Sequence, residues 1–493
     1  EHIYLYVLTD TISLSYARVL SKLGHIYRVN KKYVKSLSCL QGAYLLQYSK
    51  QNFSMASTLL ETAELYMDMN DTLNAYIYTE KALVAYKTFY ALDNPNYIYA
   101  ERRIAYIYYR TKKQQNIVQF LTKSDSIARK SVLNNFTFMS ESQRESYWER
   151  EKYYYCEQLP SYIYFDPNNK TSIVAYNNEL FYKGILLNTT NQIKRTIYMQ
   201  NDTLLNHTYS KLVGIYERLT LYKKQMLISH SVIDSLELLA DSLDKQIMTR
   251  CAQYKLLNPS SISWETISAK LLTKDVAIEF SSFPIIDEKK TIMYCALLLR
   301  DTCTYPIMIP LFEEKEVTSL VNTTKESLTN LTYEYQINDN DTIGNGKKLS
   351  DLVWGKILPY IKAGETIYFA PSGLLHQLAI EALPYDENHT MADMFNLVRL
   401  SSTREIVLHK DELKHTTATL YGGIQYNMSG DELLAESKQY TTTNLLASRG
   451  IENDTLNRGT VNYLHGTKTE VENINRMLQQ NNITVQLFTA KEA

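Results

Sequence analysis

Three stretches near the amino end repeat one pattern, and that pattern limits the possible folds more than any other feature of the chain. Leu23, Gly24 and Tyr27 are followed by Ser36, Leu40 and Ala43. Thr62, Ala63 and Tyr66 are followed by Ala75, Thr79 and Ala82, and Ile104, Ala105 and Tyr108 by Ile117, Leu121 and Ser124. The small residues Gly24, Ala63 and Ala105 stand 39 and then 42 positions apart. A small residue where two helices cross lets their backbones approach, and an aromatic three positions on lies on the same face and fills the space beside it. Such a helix pair cannot bury its face alone and has to stack on the next. The competing reading is a plain helical bundle with coincidental spacing. With 15 Gly and 10 Pro in 493 residues, turn-formers are scarce, which favours long helices and disfavours an all-β fold.

These stretches resemble tetratricopeptide repeats, with a longer period and no closing Pro. The resemblance implies that the first helix of each pair lines a concave groove. Lys22, His25 and Arg28 then fall in the groove from the first set, and Arg102, Arg103, Tyr106, Tyr109 and Arg110 from the third. Arg and Tyr are the residue types that anchor protein interfaces. The implied partner is a protein, an activator or a substrate. The alternative is a solvated helix face, or a contact with the unit that follows.

The chain reads as helical again from about Ser161 to Lys255, after a turn at Phe165 to Asn169. Leu236, Leu239, Leu243 and Ile247 form one apolar stripe for a long helix or hairpin. Past Asn258-Pro259 the pattern changes. Ile262 to Leu272 reads as a short helix; Val276, Ile278 and Phe280 alternate with Ala277 and Glu279 as a strand. Ile292 to Leu299 is continuously apolar, as in a strand buried on both faces. Further strands are expected at Tyr305 to Leu311, Thr366 to Ala370, Asn396 to Ser401, Thr419 to Tyr421 and Ile483 to Phe488. Helices are expected at Glu313 to Leu331, Leu349 to Ile361, from Thr403 to His409, and Thr469 to Gln480, with a polar loop at Asn338 to Lys347. Strands alternating with helices predict a mostly parallel sheet covered on both faces.

From about Ala175 onward the chain resembles the CHAT domain, a caspase-like bacterial domain usually found behind tetratricopeptide repeats. The matching residues are Leu180-Phe181-Tyr182-Lys183-Gly184-Ile185-Leu186-Leu187-Asn188, then Val276-Ala277-Ile278-Glu279-Phe280 and Tyr294-Cys295-Ala296-Leu297. They continue with Ala370-Pro371-Ser372-Gly373-Leu374-Leu375-His376, running on to Glu381-Ala382-Leu383-Pro384. Tyr421-Gly422-Gly423-Ile424-Gln425-Tyr426 and Gly466-Thr467-Lys468-Thr469-Glu470-Val471 complete the set. The resemblance implies a cysteine peptidase of the caspase and separase kind, with a degenerate unit followed by an active one. The expected division is helical repeats over 1–155, a long-helix connector over 156–260, a pseudo-caspase unit over 261–413 and the first part of an active unit over 414–493. The fold class is therefore α followed by α/β.

A caspase-like enzyme needs a His base and a Cys nucleophile at the carboxyl ends of adjacent central strands. In the family both lie on later strands of the active unit, which are expected to fall beyond Ala493. No catalytic residue is assigned, and the chain alone is expected to be inactive. His465-Gly466 precedes a helix instead of ending a strand, and His376 follows the Pro371-Ser372-Gly373 turn with no Cys after it in its unit. No metal or cofactor site is expected. The Cys, His and acidic residues show no ligand spacing, and Gly344-Asn345-Gly346-Lys347 lacks the full phosphate-loop pattern. An α/β hydrolase is disfavoured because no G-x-S-x-G elbow occurs.

The 52 basic and 53 acidic residues leave a formal charge of −1, so no basic excess drives nucleic-acid binding, which is expected only indirectly if at all. Apolar runs fall short of a membrane span. The five Cys form neither metal knuckles nor a disulfide framework, as in a reduced cytoplasmic protein. Glu1-His2-Ile3 lacks both an initiator Met and a basic n-region, as expected where a leader or upstream segment has been removed. The resemblance to the CHAT domain implies the regulatory, partner-sensing part of a cysteine endopeptidase in bacterial defence. The alternative is a non-catalytic scaffold that binds protein through its repeats.

Overall fold

The computed structural model describes residues 11–164, 169–200, 202–224, 230–253, 262–286, 290–321, 345–408, 417–425 and 465–490. The expected turn at Phe165 to Pro167, the helix beyond Val321, the polar loop before Asn345, and the expected boundaries at 260 and 413 lie outside the described residues. Two compact units emerge, Glu1–Leu408 and His409–Ala493.

The first unit begins with helix pairs. α1 (Leu14–Val29) packs on α2 (Tyr33–Ser49), α3 (Met55–Asp68) on α4 (Thr72–Phe89), and α5 (Pro95–Arg110) on α6 (Gln114–Phe136). The first helices also pack side by side, α1 on α3 and α3 on α5. At the first crossing a Cβ on Gly24 would lie 2.6 Å from Leu40 Cγ, and Ser36 Oγ donates to Gly24 O at 2.7 Å. Ala63 and Ala105 are fully buried at the same offset.

The repeat also governs how each first helix ends. Lys31, Asn70 and Lys112 each stand seven positions after the small residue, and each adopts a left-handed backbone, with φ of 58°, 58° and 55°. The next amide in each case bonds back to the repeat Tyr: Lys32 N to Tyr27 O at 2.8 Å, Asp71 N to Tyr66 O at 2.9 Å, Lys113 N to Tyr108 O at 2.9 Å. A left-handed residue that satisfies the last carbonyls is a recurrent helix stop. The three first helices thus end alike at one offset from the small residue. The Tyr side chains join the pairs, with Tyr66 stacked on Tyr78 at 5.3 Å and Tyr108 tilted on Tyr76 at 6.2 Å.

Helices α7 (Glu141–Tyr153), α8 (Leu159–Tyr164), α9 (Asn169–Tyr182) and α10 (Ile185–Met199) follow, then the long pair α11 (Thr203–Lys224) and α12 (His230–Gln253). The α12 stripe differs from expectation at one position. Leu239 is exposed, and Ala240 takes its place beside Leu236, Leu243 and Ile247. A 3.6-residue repeat carries the stripe around the helix, so the inner position after Leu236 is four residues on.

After α13 (Trp264–Ser268) come β1 (Asp275–Pro284), β2 (Ile292–Leu299), β3 (Ile307–Glu313), α14 (Glu314–Val321), β4 (Thr366–Ala370) and β5 (Asn396–Arg399). The strand order is β3-β2-β1-β4-β5. β1–β2 and β2–β3 are antiparallel, and β1–β4 and β4–β5 are parallel. The sheet is therefore mixed and not mostly parallel. The links from β1 to β2 and from β2 to β3 are short, as antiparallel neighbours allow, whereas a parallel pair needs a long crossover.

Local departures have similar causes. Asn345 to Lys347, expected in a polar loop, open a helix (Asn345–Ser350) anchored by buried Leu349. The expected helix to Ile361 instead widens into a π turn at Asp351–Gly355 and ends as a 3-10 turn at Leu358–Tyr360, because Pro359 has no amide to donate. Thr403–Ile406 is one 3-10 turn and no longer helix.

Both faces of the sheet are covered. One apolar core runs from Ala56 and Leu60 in α3, through Tyr155, Tyr162 and Tyr176, to Ala277, Leu297 and Leu299. The other face buries Ile278, Phe280, Leu298 and Phe369 against Trp354. In the second unit, β6 (Thr417–Ile424) pairs in parallel with β7 (Thr484–Ala490), and a helix, His465–Gln480, lies between them in sequence. Gly422 lets that helix approach; a Cβ there would lie 2.6 Å from Thr467 O.

Candidate functional site

The expected groove residues are engaged within the chain. His25 Nδ1 lies 3.0 Å from Glu61 Oε2, and Arg28 meets Glu64 at 2.9 Å and Asp68 at 2.8 Å. From the other side Arg103 donates to Glu64 Oε1 at 2.6 Å and Glu61 Oε1 at 2.7 Å. The acids of α3 are thus clamped between cations of α1 and α5. Burial alone would raise the Glu61 carboxyl, but Arg103, His25 and Arg28 pull it below the usual carboxylate range. Arg102 binds Glu151 and stacks over the Tyr154 ring at 4.6 Å. Arg110 donates to Tyr106 Oη at 2.7 Å, Tyr109 packs on Tyr162 at 5.2 Å, and Lys22 is exposed.

A second cluster sits at the carboxyl end of β4, beside the middle of β1, where Glu279 pairs with Ala370. The Lys183 ammonium, just past α9, donates to Glu279 Oε2 at 2.6 Å, Phe280 O at 2.7 Å and Ala370 O at 3.2 Å. The other Glu279 oxygen accepts from Ser402 Oγ at 2.8 Å, Thr403 N at 2.6 Å and Thr403 Oγ1 at 2.8 Å. Tyr176 Oη lies 2.9 Å from the same Thr403 hydroxyl. Arg404 closes α9 by donating to Leu180 O at 2.6 Å and Lys183 O at 2.8 Å, filling the carbonyls a helix end leaves open. Burial holds the Glu179 carboxyl above its usual range despite Lys183 at 3.5 Å.

The adjoining turn is equally fixed. Tyr294 Oη accepts from Leu374 N at 2.8 Å and donates to Glu314 at 2.8 Å, and Ser282 Oγ lies 2.8 Å from Ser372 Oγ. His376 is on the exposed side of this turn; ring desolvation, then the Lys183 and Arg399 cations, hold its imidazole below the usual histidine range.

This cluster brings together residues from four separated stretches of sequence. Glu279 had been expected on a polar strand face but is fully buried, as a charge is when its partners arrive from other elements. Lys183 lay in a quoted stretch without a role, and Ser402, Thr403 and Arg404 had none. A lone acid inside an apolar strand was the available signal. None of the residues named in this cluster is a cysteine. Burial pushes Cys156 up to about 12 and Cys251 to about 11, and keeps Cys295 well above the usual thiol range. Cys39 and Cys303 are half-buried. Among the described residues no group of three His, Cys, Asp or Glu is placed to hold a metal ion, and no helix is long and apolar enough to cross a membrane.

Comparison of the chain with protein-family models and with curated proteins finds no match.

Proposed function

We propose that this chain is the partner-sensing, non-catalytic portion of a bacterial cysteine endopeptidase of the CHAT kind, working in defence-related protein cleavage in the cytoplasm. One observation carries the reading. Three stretches that carry the resemblance, around Lys183, around Glu279 and before Pro371-Ser372-Gly373, converge on a single ammonium where the end of β4 lies beside the middle of β1. The stacked helix pairs share a continuous core with that sheet, so a partner that bends the pairs acts on the strand ends as well.

A specific observation favours the scaffold alternative. Val34, Leu45, Leu73 and Val84 expose apolar side chains on α2 and α4, as a protein-binding surface does. One measurement tests what the readings share and a second separates them. A cysteine-reactive peptide probe should label none of the five thiols stoichiometrically; labelling of one would overturn the non-catalytic reading. The coding frame after Ala493 should continue into a strand ending in His-Gly and a later strand ending in Cys. A native product whose intact mass ends at Ala493 would leave the scaffold.

A further inference from the structure

The long hairpin of α11 and α12 leaves one face of α12 uncovered among the described residues. Val232, Leu238 and Leu239 are exposed on it, together with Ser235, Ser242 and Gln246. The charges of this helix fall into two sets. Glu237 pairs with Lys223 at 2.8 Å, Asp241 accepts from Ser140 and Ser142, Asp244 takes the Glu141 amide, and Arg250 pairs with Asp202. Asp234 and Lys245 are exposed and have no ion pair among the described residues. They stand eleven positions apart, which places them on one side of the helix with Leu238 between them.

This face is complementary to itself. Asp234 lies as far before the point midway between Leu239 and Ala240 as Lys245 lies after it. Turning a second α12 antiparallel about that point sets each Asp234 opposite Lys245 of the other copy, and it gathers Leu238 and Leu239 of both copies at the axis. The same turn relates Val232 to Ile247. Ile247 lies in a groove of about 480 Å³ that it forms with Gln246 and with Leu204 and Thr208 of α11. The exposed Val232 of each copy thus meets the groove of the other. A face made for a different protein has no reason to balance two unpaired charges, and a side chain with a groove, about one point.

We propose that the occupant of this face is a second copy of the chain, the two α12 helices packing antiparallel about a two-fold axis so that both hairpins join in a four-helix arrangement. The apolar contact at the axis supplies the attraction, and the two Asp234–Lys245 pairs fix direction and register, as flanking charges do in paired helices. The inference holds whether the chain belongs to a peptidase or is a scaffold. It also gives the hairpin a role in signalling, because Asp241 and Asp244, on the neighbouring side of the same helix, dock it on the start of α7.

Sedimentation equilibrium of the whole chain tests the proposal. One helix face against another buries less than the about 1,200 Å² of a standard interface, so the dimer is weak and the range runs from about 5 to about 500 µM. The wild-type chain should pass from monomer to dimer within it. Asp234→Lys and Lys245→Asp change exposed positions, and each alone should weaken self-association at least about tenfold, because like charges then meet twice across the axis. Mixed in equal amounts, the two variants should pair with each other at close to wild-type strength, since each supplies the charge that the other lacks. Leu238→Glu, which alters neither charge, should abolish the dimer. A wild-type chain that stays monomeric throughout overturns the proposal, also where a different protein covers the face. So does a dimer that Asp234→Lys leaves unchanged, or a mixture that associates no better than the separate variants.

Discussion

The Lys183 ammonium lies 2.6 Å from the Glu279 carboxylate, and neither charge has open access to water: the Lys side chain is 9% exposed and the Glu side chain 0%. The pair ties the end of α9 to the middle of β1. Removing one partner strands the other charge in the interior, which costs about 3–5 kcal/mol. Lys183→Met should therefore destabilise the first unit by that amount in urea denaturation. Removing both should cost less than the sum, because Lys183→Met with Glu279→Gln takes away both charges of the pair. A Lys183→Met loss below about 0.5 kcal/mol, the level of a surface substitution, would refute the pair's role.

The acids of α3 carry a second prediction. The Glu61 carboxyl is held below its usual range in the folded chain, so the unfolded chain binds its proton more readily. The stability it adds is present above the unfolded carboxyl value, near about 4.3, and is lost as pH falls through the lower folded value. Arg103→Met removes the largest of the opposing cations. It should cost about 2–3 kcal/mol at pH 7, as a mostly buried charge pair does. Melting curves of wild type and variant should converge as pH falls through the lowered folded value, below which the carboxyl is protonated in both states. A gap whose size does not change as pH falls from 7 into the acid range would show that Arg103 acts through packing alone.

The helix pairs could be read in the sequence because their signal is local. Gly24, Ala63 and Ala105 mark crossings that depend only on the residues beside them. The same holds for β4, whose observed range is the expected one. The groove residues were harder to place. Cations were read from the first and third sets, but the second set supplies Glu61, Glu64 and Asp68 at matching positions, and stacking brings opposite charges together. Strand direction was not legible either, since it depends on connection length and not on the strands' own residues. The Glu279 cluster draws on positions near 183, 279, 370 and 403, and no periodicity links stretches so far apart.

Glu101 in α5 responds to pH in the opposite sense. Burial raises its carboxyl to about 7, against the bond from Tyr97 and the Lys87 and Arg102 cations. A folded value above the unfolded one means that the folded chain holds the proton more tightly. Stability contributed by this group is full below the unfolded value and is lost as pH rises through about 7. With allowance for solvent screening at the partly exposed carboxyl, the loss is about 1–2 kcal/mol. Glu101→Gln should melt with wild type at pH 5 and above it at pH 8. Equal melting temperatures at pH 8 would refute a buried ionisation cost.

Gly373 tests the turn beside the Lys183 cluster. Its φ is +54°, and a Cβ there would lie 2.2 Å from the Tyr294 hydroxyl and 2.8 Å from Ser282 Oγ. That hydroxyl is fixed between Leu374 N and Glu314, so it cannot give way without losing both bonds. Gly373→Ala therefore combines left-handed strain of about 1–2 kcal/mol with overpacking of about 1–3 kcal/mol. Gly364 supplies the control: its φ is +82°, and a Cβ there meets nothing within 4 Å. Gly364→Ala should show the backbone strain alone, and the difference between the two variants in urea denaturation should measure the clash. Adding Tyr294→Phe to Gly373→Ala should recover part of that difference, because the atom nearest the new methyl is gone. Equal losses for Gly373→Ala and Gly364→Ala would mean that the Tyr294 hydroxyl does not constrain the turn.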